Sequence, residues 1–564
     1  MFIKVTKSGS RQYLQLVEAY RDSAGRPKQR TVMSLGRLDQ LGETVQSLHD
    51  GLGRLLGVET FGNGTAQFDS SRSVGDLWVM QCLWEQLGLS TLRSRFQSST
   101  RHQIDLEAIL RILVFNRLAD AESKLGVLRW VHTVSLPEMQ LKTLTHQHLL
   151  RTMDALMEHQ EVVEQVVADA VRPLVDTALS VVFYDMTTIR TEGLSEQSDD
   201  LRRYGMSKEG GIAKQCMLGL VQTAEGIPLH HEIFPGNTAE VSTLKASLQK
   251  VMARFPIERV VAVADRGLLS LHNLDELRAM TTPSGQPLEF ILAVPGRRYA
   301  EFTELLQPVA ARIAQSDASE IVTELPWDGL RLVVAHDVDR AKAQTEARDQ
   351  TIAALEARAA EWVAKLDYQD MGVRGRGRSL SDGGVRARFF HAVAEARLQR
   401  IIQVDLKSEL FTYSINASAL DRARMMDGKL LLVSNVLDCT PHEIVSRYKS
   451  LADIERGFKV LKSDLAIGPV HHRLPDRIRA HALICFIALV LQRVMRLRLR
   501  AHPVTGIGSP ERALWSLRRL QTHRVTLPGQ KPVVGLSTLD AEHLALLESL
   551  AVKKPTLNTQ YLNL

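Results

Sequence analysis

Two short runs of apolar and β-branched residues, each followed directly by an aspartate, constrain the fold more than any other feature of this sequence. Residues 179–184 precede Asp185, and residues 260–264 precede Asp265. Runs of this length and composition are typical of strands buried inside a sheet. In open α/β sheets, ligand-binding groups collect beyond the carboxyl ends of the strands. The sequence therefore predicts an α/β sheet with two aspartates that leave their strands and face each other, although each position also suits a turn or helix cap.

A third carboxylate, Glu455, lies in the charged segment 448–462, which we predict to form one helix. Steps of seven residues to Tyr448 and Lys462, and of four to Lys459, return to nearly the same side of an α-helix. The neighbouring apolar stripe, predicted to pack inward, consists of Ile454, Phe458 and Leu461. The same spacing also fits a solvated helix face with a weakly stabilising Glu–Lys pair. Together with the two aspartates, however, Glu455 completes a set of oxygen ligands suited to Mg²⁺ or Mn²⁺.

The spacing in this segment resembles a signature of the DDE transposases of bacterial insertion sequences, in the group called the insertion-sequence-four superfamily. That signature reads Tyr, two residues, Arg, three residues, Glu, six residues, Lys. Tyr448, Glu455 and Lys462 match its spacing, whereas Leu451 occupies the arginine position. The departure puts the phosphate contact of that arginine in doubt.

Other motifs of the family follow in the expected order along the chain. Further likeness lies in a block that begins at Gly468 and, more weakly, in the N-terminal arm. The resemblance covers roughly residues 175–500. The motifs between the two aspartates are Ser207-Lys208, Gly226-Ile227-Pro228 and Gly236-Asn237-Thr238.

The resemblance implies a ribonuclease-H-like mixed sheet with helices on both faces, interrupted by a large insertion domain. It implies that Asp185, Asp265 and Glu455 are catalytic and hold two Mg²⁺ ions per active site, for which Mn²⁺ can substitute. Implied partners are DNA, at the element ends and the target, and a second copy of the chain in a homodimer on DNA. The residues expected to bind DNA phosphates are Tyr448, Lys462, Lys459, Arg456, Lys208 and Arg266.

The length and the change of periodicity along the chain predict several structural units. The 564 residues exceed one ordinary domain. Between Asp265 and Glu455 lie 189 residues, more than a compact catalytic fold requires, and this length indicates an insertion. The predicted units are a small antiparallel β unit (1–38), a helical DNA-binding region (39–176), a first catalytic part (177–295), an insertion domain (296–427), a second catalytic part (428–500) and a C-terminal tail region (501–564).

Composition narrows the function classes without identifying one. The formal net charge is only +6, which permits nucleic-acid binding without requiring it. The four cysteines form no CxxC pair, which argues against a zinc site or a disulfide framework. The apolar run at 482–491 is far shorter than the roughly 20 residues of a membrane span. We therefore expect a cytoplasmic chain that associates with the nucleoid when it binds DNA and that does not bind a membrane.

The sequence supports a transposase that cleaves the ends of an element and joins them to target DNA. One alternative is a nuclease of the same fold that hydrolyses DNA without strand transfer. Another is a catalytically inactive DNA-binding derivative, which would predict a broken carboxylate set. His471 and His472, beside a proline, are expected to make a turn or a phosphate contact rather than to bind a metal.

Overall fold

The largest sheet has nine strands and forms the centre of this computed structural model. Its strand order is β11-β12-β15-β10-β9-β5-β7-β6, and β8 also pairs with β7. The structure describes residues 1–41, 47, 51–53, 55–56, 66–99, 104–136, 144–175, 180–193, 199–207, 210–239, 243–255, 257–264, 271–314, 318–372, 379–527 and 531–556. The strands of this sheet are β5 (Ser180–Arg190), β6 (Arg203–Met206), β7 (Ile212–Thr223), β8 (Pro228–Pro235), β9 (Val260–Ala264), β10 (Glu289–Ala293), β11 (Glu320–Trp327), β12 (Leu330–Asp337) and β15 (Lys429–Ser434).

The sheet is mixed, as the α/β prediction requires. Strand β5 lies parallel to β9, with Tyr184 opposite Ala264, and antiparallel to β7. Strand β10 continues the parallel part beside β9, whereas β15 and β12 are antiparallel to their neighbours. The central strands are buried on both sides because almost every position is apolar or β-branched.

Three smaller sheets lie outside this one. The N-terminal sheet predicted for the first residues is present, with three antiparallel strands. A short hairpin pairs β13 with β14, and a third sheet joins β4 to β16 and β17 from the C-terminal region. The additional strands are β1 (Phe2–Ser8), β2 (Arg11–Arg21), β3 (Pro27–Arg37), β4 (Gln67–Ser73), β13 (Ile402–Val404), β14 (Tyr413–Ile415), β16 (Gln521–Thr526) and β17 (Val533–Leu536).

The helices occupy the chain before, between and after the strands. Among the described residues, the helix Pro475–Ala501 alone is long and apolar enough to cross a membrane. Its most apolar window is 94% buried inside the protein, as expected of a core helix. The helices are α1 (Gly75–Gln86), α2 (Leu92–Ser99), α3 (Leu106–Ala119), α4 (Lys124–Trp130), α5 (His146–Glu158), α6 (Gln160–Val171), α7 (Leu244–Arg254), α8 (Leu271–Arg278), α9 (Thr303–Ala314), α10 (Val338–Asp370), α11 (Asp382–Glu395), α12 (Ala417–Met426), α13 (Pro441–Lys449), α14 (Ala452–Lys459), α15 (Pro475–Ala501), α16 (Pro510–Leu517) and α17 (Ala541–Ser549).

Two hydrophobic cores hold the described residues together. The larger core includes the central sheet, the helices α1 to α7, helix α15 and the C-terminal helices. The smaller core lies within residues 352–423, where Trp362 packs with Phe389 and Phe411. The region 501–564, expected as a tail, is therefore part of the larger core through Leu514, Leu546 and Leu550. Its strand β16 pairs with β4, which the sequence pattern did not predict because both strands are short and largely polar.

Candidate active site

Asp185 lies inside strand β5 rather than at its end. The strand continues to Arg190 because Thr187, Thr188 and Ile189 are β-branched and pair with β7. The expected position at a strand end was therefore wrong. Asp185 stands opposite Leu220 of β7. Its carboxylate is half-buried, and Oδ1 accepts a hydrogen bond of 2.7 Å from the backbone N–H of Met186. This contact orients the carboxylate.

The second aspartate follows the neighbouring parallel strand. Strand β9 ends at Ala264, and Ala264 pairs with Tyr184, the residue before Asp185. Asp265 is bonded directly to Ala264, but Asp265 and Arg266 lie outside the described residues. Lys208 lies outside them as well. The described part of the chain therefore places Tyr184, the residue before Asp185, level with the end of β9.

The segment that carries Glu455 is broken, although we predicted one helix over 448–462. Helix α13 starts at a capping box between Thr440 and Glu443 and ends at Lys449. Helix α14 then begins at Ala452, and the wider turns of a π-helix follow over Val460–Asp464. Tyr448, Glu455 and Lys462 thus belong to three different elements. The seven-residue spacing between these residues therefore does not place them on one face of a single helix.

Leu451 lies at this break, between the helices α13 and α14. Its side chain is only 8% exposed and belongs to the larger hydrophobic core. It stands between the two helices, and its N–H donates to the carbonyl of Tyr448 at 2.9 Å. The position at which the resembling signature has an arginine therefore contributes apolar packing in this protein.

Helix α14 packs closely against the sheet at Gly457. A Cβ atom at this glycine would lie 3.0 Å from Oε1 of Gln222, 3.3 Å from Nη2 of Arg493 and 3.6 Å from Leu220. Leu220 is also the cross-strand partner of Asp185. The close approach places the helix of Glu455 directly beside the strand of Asp185. The predicted inward packing holds for Phe458 and Leu461, which are both buried, whereas the side chain of Ile454 is outside the described part.

The candidate site residues of this segment differ in exposure. Glu455, Arg456 and Lys459 are exposed, whereas Tyr448 and Lys462 are half-buried. Tyr448 packs against the larger core. Carboxylates and cations of this segment can therefore reach a ligand from the solvent side, while the apolar residues fix the backbone.

A metal site is compatible with these donors. Asp185 and Glu455 offer hard carboxylate oxygens of the kind that Mg²⁺ and Mn²⁺ prefer, on elements that contact each other. In the described ranges no three histidine, cysteine, aspartate or glutamate side chains form a group that would hold a metal ion. Completion of the site requires Asp265, which follows β9.

Sequence patterns did not identify two basic residues that lie near this segment. Arg117 of α3 directs Nη1 toward the carbonyl oxygens of Leu465 and Ala466, at 3.4 and 3.3 Å, just after the π-helix. Lys124 of α4 is buried close by. Both residues lie in helices whose apolar periodicity is typical of core packing. The one sequence signal for a functional role was a basic residue at a position where that periodicity predicts burial.

Two family models match this chain. Residues 176–491 match the transposase DDE domain, and residues 3–58 match the N-terminal domain of IS1634 family transposases. No curated protein sequence matches the chain. The first match covers the central sheet and both elements of the candidate site, and the second covers the N-terminal sheet.

Proposed function

Because the chain belongs to the DDE transposases of insertion sequences, it is a metal-dependent enzyme that cleaves and joins DNA, and we propose that Asp185, Asp265 and Glu455 hold its metal ions. The observation that carries this proposal is the contact of α14 with β7 at Gly457, directly beside the strand of Asp185. We propose that Asp265, which follows β9, joins Asp185 and Glu455 beside this contact. Membership of the group with the Tyr-Arg-Glu-Lys signature is part of the proposal.

The strand order supports a ribonuclease-H-like fold for the catalytic part. Strands β5, β7 and β8 pair as an antiparallel meander, with the short strand β6 between β5 and β7 in sequence, and the helix α7 leads to β9, which returns parallel to β5. We propose that residues 296–427 are an insertion in this fold. The separate core within residues 352–423 supports that proposal for this part, whereas β11 and β12 belong to the central sheet and to the larger core.

In the proposed site, two Mg²⁺ ions, replaceable by Mn²⁺, would activate the attacking water or 3′-hydroxyl and stabilise the leaving 3′-oxygen. Asp185 presents a carboxylate held by the N–H of Met186. Glu455 approaches from the exposed side, so it can complete the ligand set when DNA enters. We propose that Tyr448 and Lys462 hold a phosphate beside the scissile bond, and no covalent protein nucleophile is required.

Charge near the phosphate would come from exposed cations of α14. Because Leu451 is buried, the cation of the family signature must come from another residue, and Arg456 and Lys459 lie on the same short helix as Glu455. Lys208 and Arg266 remain candidates. We further propose that the protein acts as a homodimer on DNA, in the cytoplasm at the nucleoid.

A joining assay with precut DNA ends and a target plasmid tests this function. The wild-type chain in Mg²⁺ should transfer the 3′-ends to the plasmid, and omission of the metal should stop both cleavage and joining. Hydrolysis of the ends without any joined product would instead favour a nuclease of the same fold. Metal-independent binding without cleavage would favour an inactive derivative.

A further inference from the structure

A cationic cleft lies apart from the carboxylate site, between the helices α3, α4 and α5 and the loop that follows Ile467. Its volume is about 630 Å³. The loop contributes His471 and His472, the residues that the sequence suggested for a turn or phosphate contact. The basic and imidazole side chains of its lining include Arg117, Lys124, His472, Arg473, Arg477 and His481.

Arg117 is a buried cation whose hydrogen bonds all go to neutral oxygens. Its side chain is 4% exposed. Nη1 contacts two carbonyl oxygens, Nη2 donates to Oδ1 of Asn116 at 3.2 Å, and Nε is buried without a hydrogen-bond partner. The negative charges of Asp120 and Glu122 act to raise the pKa of Arg117, against the stronger effect of burial. Neither forms a salt bridge with it among the described residues. The guanidinium therefore keeps unused capacity for an anion.

Lys124 is a second buried cation in the same cleft. Its Nζ lies 3.4 Å from Nδ1 of His481. Nε2 of that histidine lies 3.0 Å from the carbonyl oxygen of Ile467, so Nε2 carries the hydrogen and Nδ1 accepts from the lysine. Burial, with the neighbouring charge of Arg117, lowers the pKa of Lys124 to about 7. Among the described residues, the neutral Nδ1 of His481 is thus the hydrogen-bond partner of the Lys124 ammonium group.

Among the described residues, acidic groups balance the charges of the cleft only in part. Arg477 is paired with Asp154 at 2.7 and 2.8 Å, but Arg473 is exposed at the rim and forms no ion pair within the described part of the chain. Glu122 is the acidic side chain in the lining. A buried cation without a counter-charge is costly, and a bound anion with several oxygens would offset that cost.

The cleft is connected to the strand of Asp185. The N–H of Val470 donates to the carbonyl of Arg190 at 2.9 Å, and the N–H of Glu192 donates to the carbonyl of Val470 at 2.9 Å. Val470 also bridges to Thr191 as a parallel partner. Thr191 lies six residues beyond Asp185 in sequence, which corresponds to roughly 20 Å along an extended strand.

We propose that this cleft binds one phosphate of the DNA backbone, separate from the phosphate at the carboxylate site. Arg117 and Lys124 supply buried donors to the phosphate oxygens, and Arg473 attracts the strand at the rim. A second fixed phosphate sets the register of the DNA relative to Asp185, since phosphate contacts position a duplex without reading its sequence. The proposal rests on the proposed function, because it requires DNA as the partner.

Binding of a DNA end to the full chain tests this site. Lys124→Met removes the charge and keeps the length of the side chain, and Arg129→Met makes the same change at an exposed position of the same helix, outside the cleft lining. At about pH 6, below the pKa of about 7, we expect Lys124→Met to weaken binding about tenfold and to reduce the dependence of log K on log salt by about one unit. Its melting temperature should stay constant or rise, because an uncompensated buried charge is lost.

A scan of single neutral methylphosphonates along the DNA locates the contact. One substitution, away from the cleavage point, should weaken binding to the wild type and have no effect on Lys124→Met. Arg473→Ala, at an exposed position, should show a smaller loss of affinity and keeps the test valid if Lys124→Met does not fold.

Three results would overturn the proposal. The first is an affinity and salt dependence of Lys124→Met and Arg473→Ala equal to those of Arg129→Met. The second is a methylphosphonate profile that is identical in wild type and variant. The third is stabilisation of the protein by inorganic phosphate with no change in DNA binding, which would identify a site for the free anion.

Discussion

The two halves of the candidate active site are positioned by different physical means. Asp185 belongs to a strand that has hydrogen-bonded neighbours on both sides, so the sheet register fixes its height relative to β7 and β9. Glu455 belongs to a helix of only eight residues, bounded by a break at one end and a π-helix at the other. Its position depends on packing at Leu451 and Gly457. The strand half is therefore fixed by backbone pairing and the helix half by side-chain contact.

The largest expected effect tests whether the two halves form one site. Asp185→Asn and Glu455→Gln should each reduce cleavage of a DNA end about 10³-fold or more, because each removes a metal ligand. DNA affinity should stay close to that of the wild type, since cationic contacts supply most of it. Single-turnover cleavage and a binding titration measure the two quantities.

Glu192→Gln is the matched control for these variants. Glu192 lies just beyond β5 and pairs with Arg190 at 3.0 Å. It should cleave at nearly the wild-type rate. Full activity in Glu455→Gln, alongside an inactive Asp185→Asn, would separate the two halves and remove Glu455 from the site.

The next effect concerns the stability of the helix half. Leu451→Arg restores the residue of the resembling signature but places a charge in the core, so it should lower the free energy of unfolding by about 3 kcal/mol. Leu451→Met should lower it by less than about 1.5 kcal/mol. Denaturant unfolding of both variants measures the difference. An arginine variant as stable as wild type, with faster cleavage, would mean that the side chain reaches the phosphate.

A smaller effect is expected from the contact between helix and sheet. Gly457→Ala introduces a Cβ atom 3.0 Å from Gln222, so α14 must move by a few tenths of an ångström. Cleavage should fall about tenfold, with little change in DNA binding. Gly508→Ala, where an added Cβ would meet nothing within 4 Å, serves as control. Equal rates in both variants would show that the distance between Glu455 and β7 does not limit the reaction.

The smallest effect concerns the buried cations beside the helix half. Burial lowers the pKa of Lys124 to about 7 from the usual value of an unfolded lysine, 10.5. Between these two pH values the unfolded chain binds the additional proton, so the contribution of Lys124 to stability increases with pH across this window and is constant below about pH 7. The groups that face it are Arg117, His472, His481 and Cys485.

Comparison of wild type with Lys124→Met isolates this contribution. The difference in unfolding free energy between them should change by at most about 1.4 kcal/mol per pH unit between pH 7 and 10. A difference independent of pH over this range would show that Lys124 keeps its ordinary pKa in the folded protein.

The strands of the site were predictable because buried strands leave a local signature. Strand β9 lies at its predicted position, residues 260–264, because it is an unbroken apolar run. The extent of β5 was not predictable from its apolar run alone. Its second half contains Thr187 and Thr188, which become part of the strand only through pairing with β7.

The geometry of the helix half was much less accessible from sequence. A seven-residue step assumes a continuous helix, but the burial of Leu451 and the π-helix at Val460 depend on tertiary packing. The pairing of β4 with β16 joins residues more than 400 positions apart, and no local pattern encodes it. Family membership was predictable, because it rests on the order of motifs and not on their exact geometry.

The central claim is that three carboxylates from separate elements hold the catalytic metal ions together. Affinity cleavage with Fe²⁺ in place of Mg²⁺ tests it directly, because hydroxyl radicals formed at a bound iron cut the backbone close to its ligands. The account predicts protein fragments that end near residues 185, 265 and 455, all lost together in Asp185→Asn. Cuts near 185 and 265 without a cut near 455, or cuts that persist in Asp185→Asn, would contradict it.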